Sequence, residues 1–135
     1  MTVAAVGVLV FGFLLVVAVS GIGQVVIART KVVTAAEAGA LAAAPVTFRP
    51  FGASGSPTAE ADRLVRANGA ELVRCICPYD PGYDPRTAVV TARLTVAVLG
   101  FREVTMQATA AAEFSPVVLL DGPNIGAADG YRTSI

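Results

Sequence analysis

The residue types that most often carry chemistry are scarce in this sequence. It has no histidine, and its only two cysteines are Cys75 and Cys77. Without histidine, neither the common zinc-ligand sets nor a histidine-assisted nucleophile can be assembled. Two thiolates alone would leave a tetrahedral zinc site half empty. We therefore predict that the protein is not an enzyme and binds neither a metal nor a cofactor.

The C-x-C spacing places both cysteines at the end of a predicted strand, residues 70–77. A bridge between positions so close on an extended chain would be strained. We therefore do not expect an intramolecular disulfide. One small buried residue and one partly exposed thiol is the simplest interpretation, and an intermolecular bond from Cys75 or Cys77 to a second chain remains open.

A second candidate site follows the cysteines. The segment "CPYDPGYDPR", residues 77–86, contains three prolines and two Asp-Pro pairs, which predict an irregular loop. It lacks the acidic spacing and terminal glutamate of an EF-hand calcium loop. We consider it a partner-contact loop through Tyr79, Asp80, Tyr83 and Asp84, with an ordinary surface loop as the alternative.

These segments are preceded by a long apolar run. Residues 1–28 contain no charged side chain, and the run "TVAAVGVLVFGFLLVVAVSGIGQVVIA" exceeds the ~20 apolar residues that a membrane-spanning helix needs. A cleavable signal peptide would begin with a basic region, which is absent here. We predict a single-pass transmembrane helix over residues 1–28, in contact with membrane lipid in the cell membrane. The alternative, a buried core helix, would need a larger soluble domain.

The helical pattern continues beyond the apolar run. Residues 29–44 form an Ala-rich extension without proline, and Pro45 predicts its end. Rows of small residues at four-residue spacing let a neighbouring helix or sheet approach closely. We predict packing or assembly contacts for six of them: Ala35, Ala36, Gly39, Ala40, Ala43 and Ala44. High helix propensity of alanine is the alternative reason for the composition.

The remaining residues predict a small α+β domain over 45–120. A capped helix at 57–68 is followed by a strand at 70–77 and by two alternating segments joined at Gly100-Phe101. These predict an antiparallel three-stranded sheet with one polar face, whose apolar face the Ala-rich helix would cover. Residues 121–135 lack periodicity, and we expect a mobile tail.

The charge balance limits the classes of partner that the protein is expected to bind. Ten basic and ten acidic residues give no net charge, and no cluster of Lys and Arg with aromatic residues occurs. Nucleic-acid binding is therefore not expected. No small-molecule substrate is evident either.

The order of these segments resembles the TadE/TadG-like, pilin-related proteins of tight-adherence (Flp) pilus and secretion gene clusters, notably short TadE-like proteins of high-GC Gram-positive bacteria. The resemblance is carried by "TVAAVGVLVFGFLLVVAV" at 2–19, "TAAEAGALAAA" at 34–44, "RANGAELVRC" at 66–75 and "VTMQATAAAEF" at 104–114. It implies a membrane-anchored structural component whose partners are other pilin-like or secretion-system subunits.

Two departures from the pilin pattern affect this expectation. Many pilins have a glutamate just after the "TV", where this chain has Ala4. The resemblance therefore favours a minor pseudopilin over a major subunit. Arg29 and Lys31 alone would place the C-terminal domain in the cytoplasm by the positive-inside rule, whereas a basic leader before Thr2 would place it outside. We expect the second arrangement. The alternative function is an anchored extracellular module that binds a protein partner through the 77–86 loop.

Overall fold

The computed structural model describes residues 2–48 and 55–120. Along the chain it has helix α1 (Thr2–Val46), helix α2 (Pro57–Ala67), strand β1 (Glu71–Ile76), strand β2 (Arg86–Val98), strand β3 (Arg102–Phe114) and helix α3 (Pro116–Leu120). The predicted α+β class, with a long N-terminal helix, a short helix and a three-stranded antiparallel sheet, is confirmed. The expected mobile tail at 121–135 lies outside the described residues.

Helix α1 is continuous for 45 residues, which corresponds to about 67 Å at 1.5 Å per residue. It extends past the predicted end before Pro45 and includes that proline. Proline removes one helical hydrogen bond and crowds the preceding turn, and the helix ends one residue later, at Val46. Thr47 closes the last turn, because its amide donates to the carbonyl of Ala43 (3.2 Å) and its hydroxyl donates to the carbonyl of Ala44 (2.6 Å).

Helix α2 begins and ends where its capping residues predict. The Ser56 hydroxyl accepts a hydrogen bond from the amide of Ala59 (3.1 Å), and Pro57 occupies the first turn. Gly69 follows with a φ of 76°, a left-handed conformation that glycine adopts without strain. Ala70 follows, and β1 begins at Glu71.

The three strands form one antiparallel sheet in the order β1-β2-β3. The β2–β3 hairpin pairs Arg86 with Phe114 at its open end and Val98 with Arg102 at its turn. Leu99 and Gly100 in the turn both have positive φ values, 52° and 73°. The predicted turn at Gly100-Phe101 is therefore confirmed, and both long strands keep the predicted alternation of side chains.

The core lies between the second half of α1 and one face of the sheet, with α2 closing the side. Its fully buried members are small: alanines from α1, and Ala61, Val65, Ala88, Val90 and Ala92 from the other elements. Residues 88, 90 and 92 are buried, but inward residues 94, 96 and 98 of the same strand are half-buried. The core therefore thins toward the hairpin turn.

The expectation about the cysteines is wrong. Cys75 and Cys77 form a disulfide within the chain, with their Cα atoms 5.5 Å apart. Strand β1 ends at Ile76, so Cys77 lies beyond the extended segment on which the expectation rested. Cβ atoms two positions apart point to the same side of a strand, and a bend at the strand end brings them within bonding range. A link from either sulfur to a second chain would first require reduction of this bond.

Candidate assembly surfaces

The first candidate surface is the N-terminal half of α1. Among the described residues, α1 is the one helix long and apolar enough to cross a membrane, and none of its most apolar window is buried inside the protein. Phe11 and Phe13 are 65% and 68% exposed. The alternative of a core helix buried in a soluble domain is therefore excluded for this segment. So much contiguous apolar surface needs a lipid or protein environment.

The character of α1 changes at Ala28, the first buried side chain after residue 5. From there a buried stripe follows one side of the helix, with Val32 fully enclosed. Arg29, Lys31 and Glu37 are exposed on the same stretch of the helix. One helix thus combines a mostly exposed apolar segment with an amphipathic segment that supports the folded domain.

The six small residues predicted for packing all lie on the buried stripe of α1. The five alanines among them are at most 4% exposed. They contact the chain's own sheet and α2 within a single core cluster. The predicted cover of the sheet by the Ala-rich helix is therefore seen here. A role for the same residues in contacts between subunits stays a prediction, and their surface is already occupied inside the chain.

Gly39 is the closest approach of α1 to the rest of the domain. A Cβ atom at this position would lie 2.7 Å from Cγ2 of Val65, 3.1 Å from Cγ1 of Val90 and 3.4 Å from the carbonyl oxygen of Ala61. Carbon atoms in contact normally stay ~3.5–4.0 Å apart. Helix α1 can therefore pack this closely against α2 and β2 only with glycine at position 39.

The second candidate surface is the loop between β1 and β2. Tyr79 and Tyr83 are both about half exposed. The Tyr83 ring meets the buried Phe48 ring edge-on, with centroids 5.4 Å apart. The Asp80 carboxylate accepts a hydrogen bond from the amide of Gly82 (2.7 Å), which is a local turn contact. The four predicted residues thus share one ordered loop, and the partner that they would contact stays a prediction.

Arg86 organises this loop, and sequence reasoning missed it. Its guanidinium is buried and donates to the main-chain carbonyl oxygens of Thr47, Asp80, Gly82 and Asp84. Its Cζ atom also lies 5.7 Å from the centre of the Phe48 ring. A planar cation with five donors can hold several carbonyls at once. The only sequence signal was that this arginine starts a strand and stands at one of the alternate positions whose side chains face the core.

The third candidate surface, also missed, is the tip of the β2–β3 hairpin. The amide of Leu99 donates to Oε1 of Gln24 (3.0 Å), which joins the hairpin turn to the apolar half of α1. Phe101 in the same turn is 97% exposed. No local pattern predicts a contact between residues 75 positions apart.

Comparison with known proteins adds one finding. A family model described as "Putative Flp pilus-assembly TadE/G-like" matches residues 1–46. The TadE/G-like resemblance is confirmed for this segment. No curated protein and no solved structure matches the chain significantly.

The TadE/G-like segment coincides with α1, because the match ends where the helix ends, at Val46. It includes both the exposed apolar half and the small residues that support the sheet. The tyrosine loop and the hairpin tip lie outside the match. What these two surfaces do must be argued from their own geometry.

Proposed function

We propose that this protein is a membrane-anchored, pilin-like component, of the minor pseudopilin type, of a Tad/Flp-type pilus or a related secretion apparatus. The supporting observation is the coincidence of the TadE/G-like match with a helix that is apolar and mostly exposed over its first half and carries a folded domain on its second half. That division of one helix suits a subunit that is stored in a bilayer and assembled through helix contacts.

The proposed mechanism is assembly without catalysis. The apolar half of α1 holds the subunit in the bilayer and can exchange lipid contacts for contacts with other apolar helices, since both surroundings satisfy the same side chains. The buried stripe is occupied by the chain's own sheet, so neighbours would meet the opposite side of the helix. Leu41, 68% exposed on that side, is the largest apolar residue available beyond the predicted span.

A minor role is favoured by the sequence near the start of α1. A glutamate just after "TV" is the feature that the resemblance associates with pilins, and Ala4 occupies that place. An acidic group within a bilayer is costly unless it pairs with a partner. A subunit with alanine there avoids that cost, but it lacks the group that would pair with a neighbour's N-terminus.

The folded domain is proposed to lie outside the cytoplasm. Arg29 and Lys31 would oppose this arrangement if they were the only flanking charges, so the proposal requires more positive charge on the other side of the span. A cleaved signal sequence is the competing interpretation of the apolar run. The continuity of α1 from Thr2 into the core favours an anchor, because no loop separates the apolar half from the supporting half.

The proposal is tested by site-specific photo-crosslinking in cells that carry the pilus genes. A crosslinking amino acid at Leu41 should give an adduct whose second component is a product of the same gene cluster. The matched control is Thr58, which is exposed on α2 rather than on α1 and should not give the same adduct. Crosslinks from Leu41 only to unrelated proteins, together with normal pili after deletion of the gene, would contradict the proposal.

A second candidate function is an anchored module that binds a protein through the 77–86 loop. It is favoured by one observation: Arg86 fixes the loop backbone while both tyrosine rings stay about half exposed. Preordered aromatic side chains are typical of binding surfaces. Replacing Tyr79 and Tyr83 by serine should then abolish one interaction without changing membrane insertion, whereas retention of every interaction would exclude this function.

A further inference from the structure

The β2–β3 hairpin lies along α1 with its turn directed toward the apolar half of that helix. Its open end, at Arg86, is hydrogen-bonded to Thr47 at the C-terminal end of α1 (3.2 Å). Its turn, at Leu99, is hydrogen-bonded to Gln24 (3.0 Å). The two contacts are 23 helical residues apart, or about 35 Å along the axis. The hairpin therefore extends from the end of the domain to the predicted membrane span.

The turn also contacts the helix at Gly21. A Cβ atom at that position would lie 3.5 Å from Cδ1 of Leu99 and 3.9 Å from Cγ1 of Val98. From Thr2 to Gly21 the helix rises about 29 Å, which is close to the ~30 Å thickness of a bilayer's hydrocarbon core. If the hydrocarbon core instead surrounds a later part of α1, closer to Arg29, the first charged residue, then the turn lies deeper in the bilayer. With either placement of the helix in the membrane, the turn reaches the bilayer.

The side chains of the turn suit that position. Phe101 is 97% exposed and Leu99 is 38% exposed, although both are apolar. Arg102 follows them and is also exposed, so a cation lies beside the apolar pair. An apolar tip with an adjacent basic residue can bury its apolar side chains below the headgroups and leave the guanidinium at the phosphate level.

Two amides of the turn have hydrogen-bond partners within the protein. The amide of Phe101 donates to the carbonyl of Val98 (3.2 Å), and the amide of Leu99 is satisfied by Gln24. Backbone groups near hydrocarbon must find partners within the protein. Gln24 is one of only three polar side chains in the run from Thr2 to Ala28, and this contact explains why a polar residue is tolerated there.

We propose that the hairpin tip, residues 98–102, is a second membrane contact, which inserts Phe101 into the lipid interface beside the span. A lipid surface is favoured over a protein partner for two reasons. The tip is continuous with the apolar surface of α1, and it contacts α1 at the level where the hydrocarbon core of the bilayer would end. Two contacts, the span and the tip, fix the rotation of the domain about α1 relative to the bilayer. The inference rests on the anchor part of the proposed function and on nothing about pili.

The test uses the absence of tryptophan from the sequence, so that one introduced tryptophan reports alone. Three full-length variants are compared in phosphatidylcholine–phosphatidylglycerol vesicles: Phe101→Trp, Phe13→Trp as the reference within the span, and Tyr79→Trp as the reference in water. The loop containing Tyr79 contacts Thr47 through the Asp80 amide (3.3 Å), about 39 Å along α1 from Gly21. Emission and quenching by lipids with nitroxide labels at shallow or deep positions are measured.

The proposal predicts that the tryptophan at position 101 emits at a shorter wavelength than the tryptophan at position 79. The shallow label should also quench it several-fold more strongly than it quenches the tryptophan at position 79. Emission and quenching equal to those at position 79, with deep quenching retained at position 13, would overturn the tip insertion and leave the anchor intact. A blue shift at 101 without lipid quenching would show that a second copy of the chain covers the tip, which also overturns it. Loss of lipid quenching at position 13 would overturn both claims.

Discussion

Gly39→Ala is the substitution that most sharply tests the packing of α1. The added methyl group would lie 2.7 Å from Cγ2 of Val65 and 3.1 Å from Cγ1 of Val90. Both valines are fully buried, and β-branched side chains are stiff at χ1, so neither can rotate away cheaply. The helix must therefore shift, or α2 must move outward.

The magnitude follows from two opposing effects. Overpacking a well-filled core costs about 1–3 kcal/mol, whereas alanine favours the helix over glycine by about 1 kcal/mol. Because the added methyl group would make two close contacts rather than one, we place the overpacking cost in the upper part of its range. We expect the free energy of unfolding to fall by about 1–2 kcal/mol, and each kcal/mol lowers Tm by about 4–8 °C for a domain of this size.

The assay is thermal unfolding of the full chain in detergent micelles, followed by near-UV circular dichroism of the domain. Gly23→Ala is the matched control, because nothing lies within 4 Å of a Cβ atom there. It should leave the domain's Tm unchanged. Val65→Ala, which removes the contacting methyl groups, should cost less in the Gly39→Ala background than in the unaltered protein, with a coupling of about 0.5–3 kcal/mol for contacting residues. An unchanged Tm in Gly39→Ala, or strictly additive effects, would refute the close packing.

Three further predictions concern the rest of the domain. Arg86→Lys should lower the free energy of unfolding by about 1.5–3 kcal/mol and speed amide exchange in residues 79–84, because an ammonium cannot span the carbonyls that the guanidinium holds; unchanged exchange measured by mass spectrometry would contradict this. Reducing the disulfide should cost only about 1.6 kcal/mol in chemical denaturation, because the closed loop is so short, and alkylation without reductant should add no mass. The Arg63 side chain hydrogen-bonds to the Glu60 carboxylate and lowers its pKa. The small stabilisation from this pair should therefore be full above the ordinary glutamate pKa and disappear as pH falls through the lowered value; Glu60→Gln, followed by a pH series of melts, should remove that dependence.

Much of the fold could be predicted because its signals are local. The capping residues of α2 and the alternation in β2 and β3 each lie within about a dozen residues, and each predicted element is present. The cover of the sheet by the Ala-rich stretch could be inferred because the apolar face of the sheet needed a partner. Small side chains at four-residue spacing offered the closest approach.

The features that were missed depend on contacts between distant residues. Arg86 and Thr47 are 39 positions apart, and Leu99 and Gln24 are 75 positions apart. Neither contact leaves a periodic trace, so an inward arginine and a polar residue in an apolar run were the only signs. The disulfide was missed because both cysteines were expected on a regular strand, where a bridge would be strained, whereas Cys77 lies beyond the end of β1.

Membrane topology is the measurement that bears most directly on the central claim, that α1 anchors the protein with its folded domain outside the cytoplasm. Both cysteines are replaced by serine, and a single cysteine is introduced at Thr58, which is exposed in α2. A membrane-impermeant maleimide is then applied to intact cells and to permeabilised cells. The account predicts labelling of membrane-associated protein in intact cells. Labelling only after permeabilisation would place the domain inside and contradict the account.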